Sequence, residues 1–193
     1  YGFDLGLFNN RVGFEFTYYK TNSKNQLVSV QTPPASGYRE KFINAGNVQN
    51  SGIEMTLNVT PVKTKDFTWT AYINYAKNDN KVLEIIDKSP EFNLRGDFIN
   101  DVKIVVGKPF GEMYGRGFQR NEKGERLVTE AGLPLLTSAR SVYLGNSRPK
   151  WNGGFGNRFM YKDFTLSFLI TARMGGRVTS FTDAVIDGDG FTA

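Results

Sequence analysis

The chain of 193 residues has no cysteine and no histidine. The first absence rules out a disulfide framework and thiolate metal sites, without fixing a compartment. Together they remove the usual nucleophile and base pairs. A serine–lysine arrangement would remain, and no spacing here supports one. Metal chemistry would need carboxylates alone, and none cluster in the sequence, so neither metal nor cofactor is expected. Asp87, Glu91, Asp97 and Asp101 qualify for paired-acid chemistry only by being acidic, so no catalytic residue is assigned and no enzyme is expected. Gly115, Arg116 and Gly117 lack the strand–loop–helix context of a phosphate loop. Long apolar runs are missing too: Ile104 to Val106 and Phe168 to Ile170 fall far short of the roughly 20 residues of a membrane-spanning helix. The net charge of +5 is scattered, which argues against a nucleic-acid partner.

What the chain does have is alternation. From Trp151, every second residue gives Trp151, Gly153, Phe155, Asn157, Phe159 and Tyr161. After a turn at Lys162 and Asp163 the pattern resumes with Phe164, Leu166, Phe168, Ile170, Ala172 and Met174. A period of two over this length predicts two strands of about eleven residues, the length a tilted strand needs to cross a bilayer. The same reading gives strands from Gly2 to Phe8, Arg11 to Lys20, Val48 to Thr60 and Phe67 to Ala76. Asn9 and Asn10 suit a two-residue turn, and residues 61–66 form a short link.

Six long strands joined by three short turns alternate with long segments at 21–47, 77–149 and 175–193. Within the second, Asp101 to Val106 reads as a short strand, and residues 121–124 as a hairpin turn. Outer-membrane barrels have this asymmetry of short periplasmic turns and long extracellular loops. Phe67, Tyr161 and Phe164 sit beside the short turns, while Tyr18, Tyr19, Tyr75 and Trp151 sit near the loop ends, the two levels of an aromatic girdle. Leu57 and Phe168 then face lipid. Glu15, Glu54, Thr56, Asn58, Thr70, Asn74, Asn152, Arg158, Thr171 and Arg173 face the lumen. Gly153, Gly154 and Gly156 read as relief of crowding where the barrel bends, or as lumen space. Six strands with open edges would expose backbone groups to lipid, so more strands are expected on both sides. The fold class expected is all-β, an antiparallel transmembrane β-barrel segment.

Residues 44–54 read NAGNVQNSGIE, and Asn44, Gly46, Val48, Asn50, Gly52 and Glu54 resemble a motif in the barrels of TonB-dependent outer-membrane receptors. Downstream, Gly107, Pro109, Gly111, Tyr114 and Gly115 come first. Gly145, Asn146, Pro149, Lys150, Trp151, Gly153, Gly154 and Phe155 follow, and the whole is similar to the SusC/RagA branch. The resemblance implies a barrel of about 22 strands, with a plug, a TonB box and a closing strand expected outside this chain. It implies import of oligosaccharides or peptides across the bacterial outer membrane, with a SusD-like surface lipoprotein as lid, TonB supplying energy and outer-membrane lipid around the wall. Tyr114, Arg116, Phe118 and Arg120 combine flat aromatic faces with fork donors and are the candidate ligand contacts. Two other readings fit the strands: a soluble β-rich carbohydrate-binding or adhesive module, and a passive porin-like barrel.

Overall fold

The structure is a computed structural model that describes residues 1–44, 46–85 and 90–188. It divides into two units.

The first unit comprises Tyr1–Asn22, Gln49–Asn80 and Arg148–Gly175. Its sheet runs through β1 (Gly2–Leu7), β2 (Val12–Lys24), β5 (Asn47–Lys63), β6 (Phe67–Glu84), β11 (Trp151–Tyr161) and β12 (Phe164–Met174). These six strands are hydrogen-bonded neighbours in that order, as an antiparallel sheet that does not close on itself. Register explains why the alternation matters. Paired residues share a face, and the rows Phe67–Tyr161–Phe164, Trp69–Phe159–Leu166 and Ile73–Phe155–Ile170 align apolar side chains across three strands. The rings of Trp69 and Phe159 stack at 5.6 Å, and those of Phe159 and Phe168 at 6.3 Å. On the other face the rows are Asn74–Gly154–Thr171 and Thr70–Arg158–Ser167. On β6 and β11, which have neighbours on both sides, Ile73 is still 45% exposed and Phe155 39%, an apolar surface that water would not tolerate at this extent. Lipid would.

The girdles are rows rather than scattered aromatics. Phe67, Tyr161 and Phe164 line up beside the turns, and Tyr75 packs on Trp151 at 5.7 Å toward the other end. Ten residues separate the two rows along β11, roughly 33 Å of strand and about 23 Å of membrane at a 45° tilt, close to the apolar band of such barrels. Tyr19 does not join this girdle. It shares the phase of Glu15 and Thr17, and its hydroxyl donates to Asn78 Oδ1 on the polar face at 3.1 Å. One polar residue, Asn157, sits on the apolar face. It is only 3% exposed, and its Oδ1 accepts the indole N–H of Trp69 at 3.0 Å, which satisfies a donor that hydrocarbon would leave stranded.

The turns refine the sequence reading. Phe8, Asn9 and Asn10 all take the left-handed backbone (φ 55°, 53° and 60°), so the first turn spans more than the two asparagines, and the Arg11 N–H closes it onto the Phe8 carbonyl at 3.2 Å. β5 continues through Pro61 to Lys63, and β6 continues to Glu84. At 17 and 18 residues, both strands extend well beyond the lengths that alternation suggested.

The second unit comprises Ser23–Val48, Lys81–Ser147 and Gly176–Ala193. The long segments are not irregular. β3 (Leu27–Gln31) pairs with β4 (Glu40–Asn44). A four-stranded sheet orders β10 (Val142–Asn146), β9 (Glu112–Gly115), β8 (Asn100–Val105) and β7 (Glu91–Gly96). A short helix, α1 (Phe181–Gly188), lies in the third segment. Bulges at Asn93/Arg95 in β7 and Tyr143/Gly145 in β10 break the period of two, which is why those two do not read as strands, whereas β8 falls on the short strand expected at Asp101 to Val106. Val48, Val82, Ile85 and Ile104 form the core, with Phe92 and Phe110 packed on it. Ile104 and Val82 are fully buried, worth about 1.5–3 kcal/mol each.

The stretch between β9 and β10 holds a repeat. Residues 117–124, 125–132 and 133–140 read GFQRNEKG, ERLVTEAG and LPLLTSAR. The N–H groups of Gln119, Leu127 and Leu135 donate to the carbonyls of Leu135, Gln119 and Leu127 in turn. Those of Asn121, Thr129 and Thr137 donate to Glu125, Leu133 and Gly117. Each octapeptide therefore pairs with both others and the set closes in a ring. Gly124 and Gly132 end the first two units in left-handed backbone (φ 83° and 80°), while the third ends in Arg140, which leaves the ring to bind Asp101 at 2.7 Å.

Candidate functional site

The polar face of the first unit is built by glycines that make room for large neighbours. A Cβ on Gly52 would run into the Lys77 carbonyl oxygen and lie 2.6 Å from the Tyr19 hydroxyl oxygen, so glycine leaves room for both the neighbouring strand and the phenol that crosses it. Tyr19 reaches Asn78, whose Nδ2 donates to Asn50 Oδ1 at 3.3 Å, and Asn80 Nδ2 donates to the same oxygen at 2.8 Å. Asn50 and Gly52 of the motif thus clasp β2, β5 and β6. Gly154 lies beneath the Asn74 amide and Gly156 beneath the Tyr72 ring. Neither leaves open lumen. Gly153 faces the opposite way, under the Trp151 ring.

Beyond the clasp lies a cavity of about 570 Å³ on the polar face. Its lining includes Glu54, Thr56, Asn74, Asn152, Thr171 and Arg173. All six belong to the lumen set expected from alternation. Glu54 and Arg173 make no ion pair among the described residues. The cavity offers one acid, one fork donor and several amides and hydroxyls, which suits a polar guest or a polar protein surface.

Asn44, Gly46, Gly145 and Asn146 of the motif residues belong to the second unit, and Pro149 to the first. Asn44 ends β4 opposite Leu27. Gly46 is left-handed (φ 78°), and a side chain there would run into the Glu84 backbone. Gly145 (φ 135°) forms the β10 bulge, with the Arg177 side chain lying across it. Asn146 Nδ2 donates to the Phe110 carbonyl at 3.1 Å. Pro149 is half-buried at the approach to β11.

Tyr114, Arg116, Phe118 and Arg120 lie along one extended stretch and do different things. The Tyr114 hydroxyl donates to the buried Glu112 carboxylate at 2.9 Å. Burial, then the bond and charge of Glu112, push its pKa up to about 12. Tyr143, 5.7 Å away ring to ring, is raised too, by burial and then by the Glu112 charge. Arg116 is exposed. Phe118 and Arg120 belong to the first octapeptide, where the Arg126 guanidinium covers the Phe118 ring at 4.4 Å and Arg120 Nη1 donates to the Gly124 carbonyl at 2.5 Å.

The acids considered for catalysis have structural partners. Glu91 binds Lys103 at 3.0 Å and Asp101 binds Arg140. Asp97 accepts the N–H groups of Asn100 and Ile99, which holds its carboxyl below the usual range against the opposing effect of burial. Asp87 lies outside the described residues. No three acidic, histidine or cysteine side chains converge among the described residues. Alternation alone could not find the clasp, the octapeptide ring or the Glu112–Tyr114 bond. The spacing of Gly124 and Gly132, eight residues apart after Asn121 and Thr129, was the available signal for the ring.

The family model for TonB dependent receptor-like β-barrels matches residues 1–191. TonB-dependent receptor P3 of Formosa agariphila is 25% identical over 203 residues, covering 94% of this chain and 20% of the receptor. TonB-dependent receptor SusC of Bacteroides thetaiotaomicron is 26% identical over 190 residues, covering 92% of this chain and 19% of SusC. The chain thus spans about a fifth of the length of the curated relatives it matches. Among solved structures, the RagAB peptide transporter superposes with a TM-score of 0.69 at 22% identity, over 88% of this chain and 20% of that one. The long two-faced strands, the motif residues that clasp them and these matches agree: the chain belongs to the family of TonB-dependent receptor β-barrels, of the SusC/RagA type.

Proposed function

We propose that the protein carrying this chain is an active transporter of the bacterial outer membrane, importing oligosaccharides or peptides with energy supplied through TonB. A SusD-like surface lipoprotein acts as its lid. The observation that carries this reading is the two-faced sheet: six strands hold an apolar face outward at bilayer height and a polar, cavity-bearing face inward. Family membership supports the energy-coupling part of this reading. In this reading residues 21–47, 77–149 and 175–193 lie outside the cell, and the turns near Asn9, Lys65 and Lys162 lie in the periplasm. The polar face contacts the plug, water or passing substrate and performs no covalent chemistry.

The test is uptake by cells expressing the intact protein, using labelled oligosaccharide and peptide pools. Accumulation should fall to background when TonB is deleted or the proton gradient is collapsed. Uptake that survives both treatments would replace active import with passive diffusion through a pore.

A further inference from the structure

Within the octapeptide ring, Arg120 and Arg126 stand directly opposite each other. Across such a pair the Cβ atoms are about 5 Å apart, and like charges so placed repel. Neither arginine makes an ion pair among the described residues. Glu125, next to Arg126 in sequence, is held instead by Asn121 Nδ2 at 2.7 Å. The Arg126 guanidinium carbon sits 4.4 Å over the Phe118 ring, a cation–π contact that occupies its face and leaves its N–H groups free for another partner. Arg120 is tethered through one nitrogen to Gly124, which leaves its other donors free. The ring therefore holds two fork donors, pre-oriented and short of one anion.

We propose that this face of the ring, carrying Phe118, Arg120, Arg126, Val128, Pro134 and Leu136, recognises the carboxylate of an acidic saccharide. The registers Phe118–Leu136 and Val128–Pro134 place the apolar members on the same face as the arginines. A guanidinium fork matches a planar carboxylate through two parallel hydrogen bonds. The apolar side chains suit the C–H face of a sugar ring. None of the six side chains is a hydrogen-bond acceptor, so the face reads its ligand through carboxylate and other acceptor oxygens, and it is the apolar surface beside the forks that favours a sugar ring over an acidic peptide. The inference rests on the import reading and narrows its substrate class.

The experiment is calorimetric binding to the intact detergent-solubilised protein, which requires neither energy nor transport. The probes are trigalacturonic acid, its methyl ester and pentaglutamate. Trigalacturonate should bind, and the ester at least tenfold more weakly. Arg120→Gln with Arg126→Gln should weaken trigalacturonate binding at least tenfold, Arg120→Lys with Arg126→Lys less so, and Lys123→Gln should leave it unchanged. Each variant is checked for the strand content of the unsubstituted protein by far-ultraviolet circular dichroism. Equal binding of acid and ester, or full binding by the folded glutamine variant, overturns the proposal. Pentaglutamate binding as tightly as trigalacturonate overturns the saccharide assignment. Binding without uptake would instead count against the import reading alone.

Discussion

The two units solve the same problem, keeping β-strands from slipping, in opposite ways. In the six-stranded sheet, register is set by faces: moving β11 by one residue would turn Phe155 and Phe159 inward and Arg158 into lipid. In the second unit no strand is long enough for that. Register there is set by specific bonds instead, such as Arg140 to Asp101, Asn100 Nδ2 to Thr179 Oγ1, and the ring of N–H donors through Gln119, Leu127 and Leu135. Substitutions should therefore hurt the first unit according to which face they touch. In the second, the damage should depend on which bond is lost.

The largest effect should come from reversing a face. Phe168→Arg or Leu57→Arg in the intact protein should destabilise the barrel by about 2–4 kcal/mol, because the charge enters the apolar band. The adjacent Ser167→Arg and Thr56→Arg should be tolerated much better. Denaturant unfolding in lipid vesicles, followed by tryptophan fluorescence, would measure both. Equal losses at both phases would mean that the sheet does not separate lipid from lumen.

This contrast also explains what was legible. A two-residue period survives in sequence because each position must satisfy its solvent, so the six strands, the places of their turns and the shared polar face of residues such as Glu54 and Arg173 could be read directly. Asp101 to Val106 was legible as a strand for the same reason, and β8 occupies Asn100–Val105. The Asn121–Gly124 turn was legible from its Asn and Gly. The extents of β5 and β6 were not, since β5 continues through Pro61, which reads as a break, and the end of β6 alternates polar with polar in Lys77, Asn78, Asp79 and Asn80. Nor was the role of Gly52, which depends on a side chain 33 positions away. A glycine in a strand signals a close approach without naming what approaches.

Gly52 offers an intermediate effect and a sharper test. Gly52→Ala should destabilise by about 1–3 kcal/mol, the usual range for overpacking, because the new methyl meets the Tyr19 ring. If Tyr19 is the obstacle, the damage should shrink in a Tyr19→Ala background, giving a coupling of about 1 kcal/mol or more. A Gly52→Ala loss that is the same with and without Tyr19 would point to the Lys77 carbonyl, which the new Cβ also meets, and would remove the clasp from the account of the motif.

The smallest expected effect separates the second unit's bond-based order from the first unit's facial order. Tyr114 has a folded-state pKa raised to about 12, above the ordinary value of 10.0. A raised value means that its contribution to stability is fully present below pH 10 and is lost as pH rises toward 12, where the folded phenol finally ionises. Ultraviolet titration of the intact protein, compared with Tyr114→Phe, should assign a late-ionising phenol to this position. Burial is the leading cause of the shift and Glu112 the second, so Glu112→Gln should bring the midpoint down only part of the way. A midpoint near 10 in the unsubstituted protein would mean that the Glu112–Tyr114 bond does not hold this stretch in place. Arg116, Phe118 and Arg120, which follow it in sequence, would then lose the rigid support that a binding face requires.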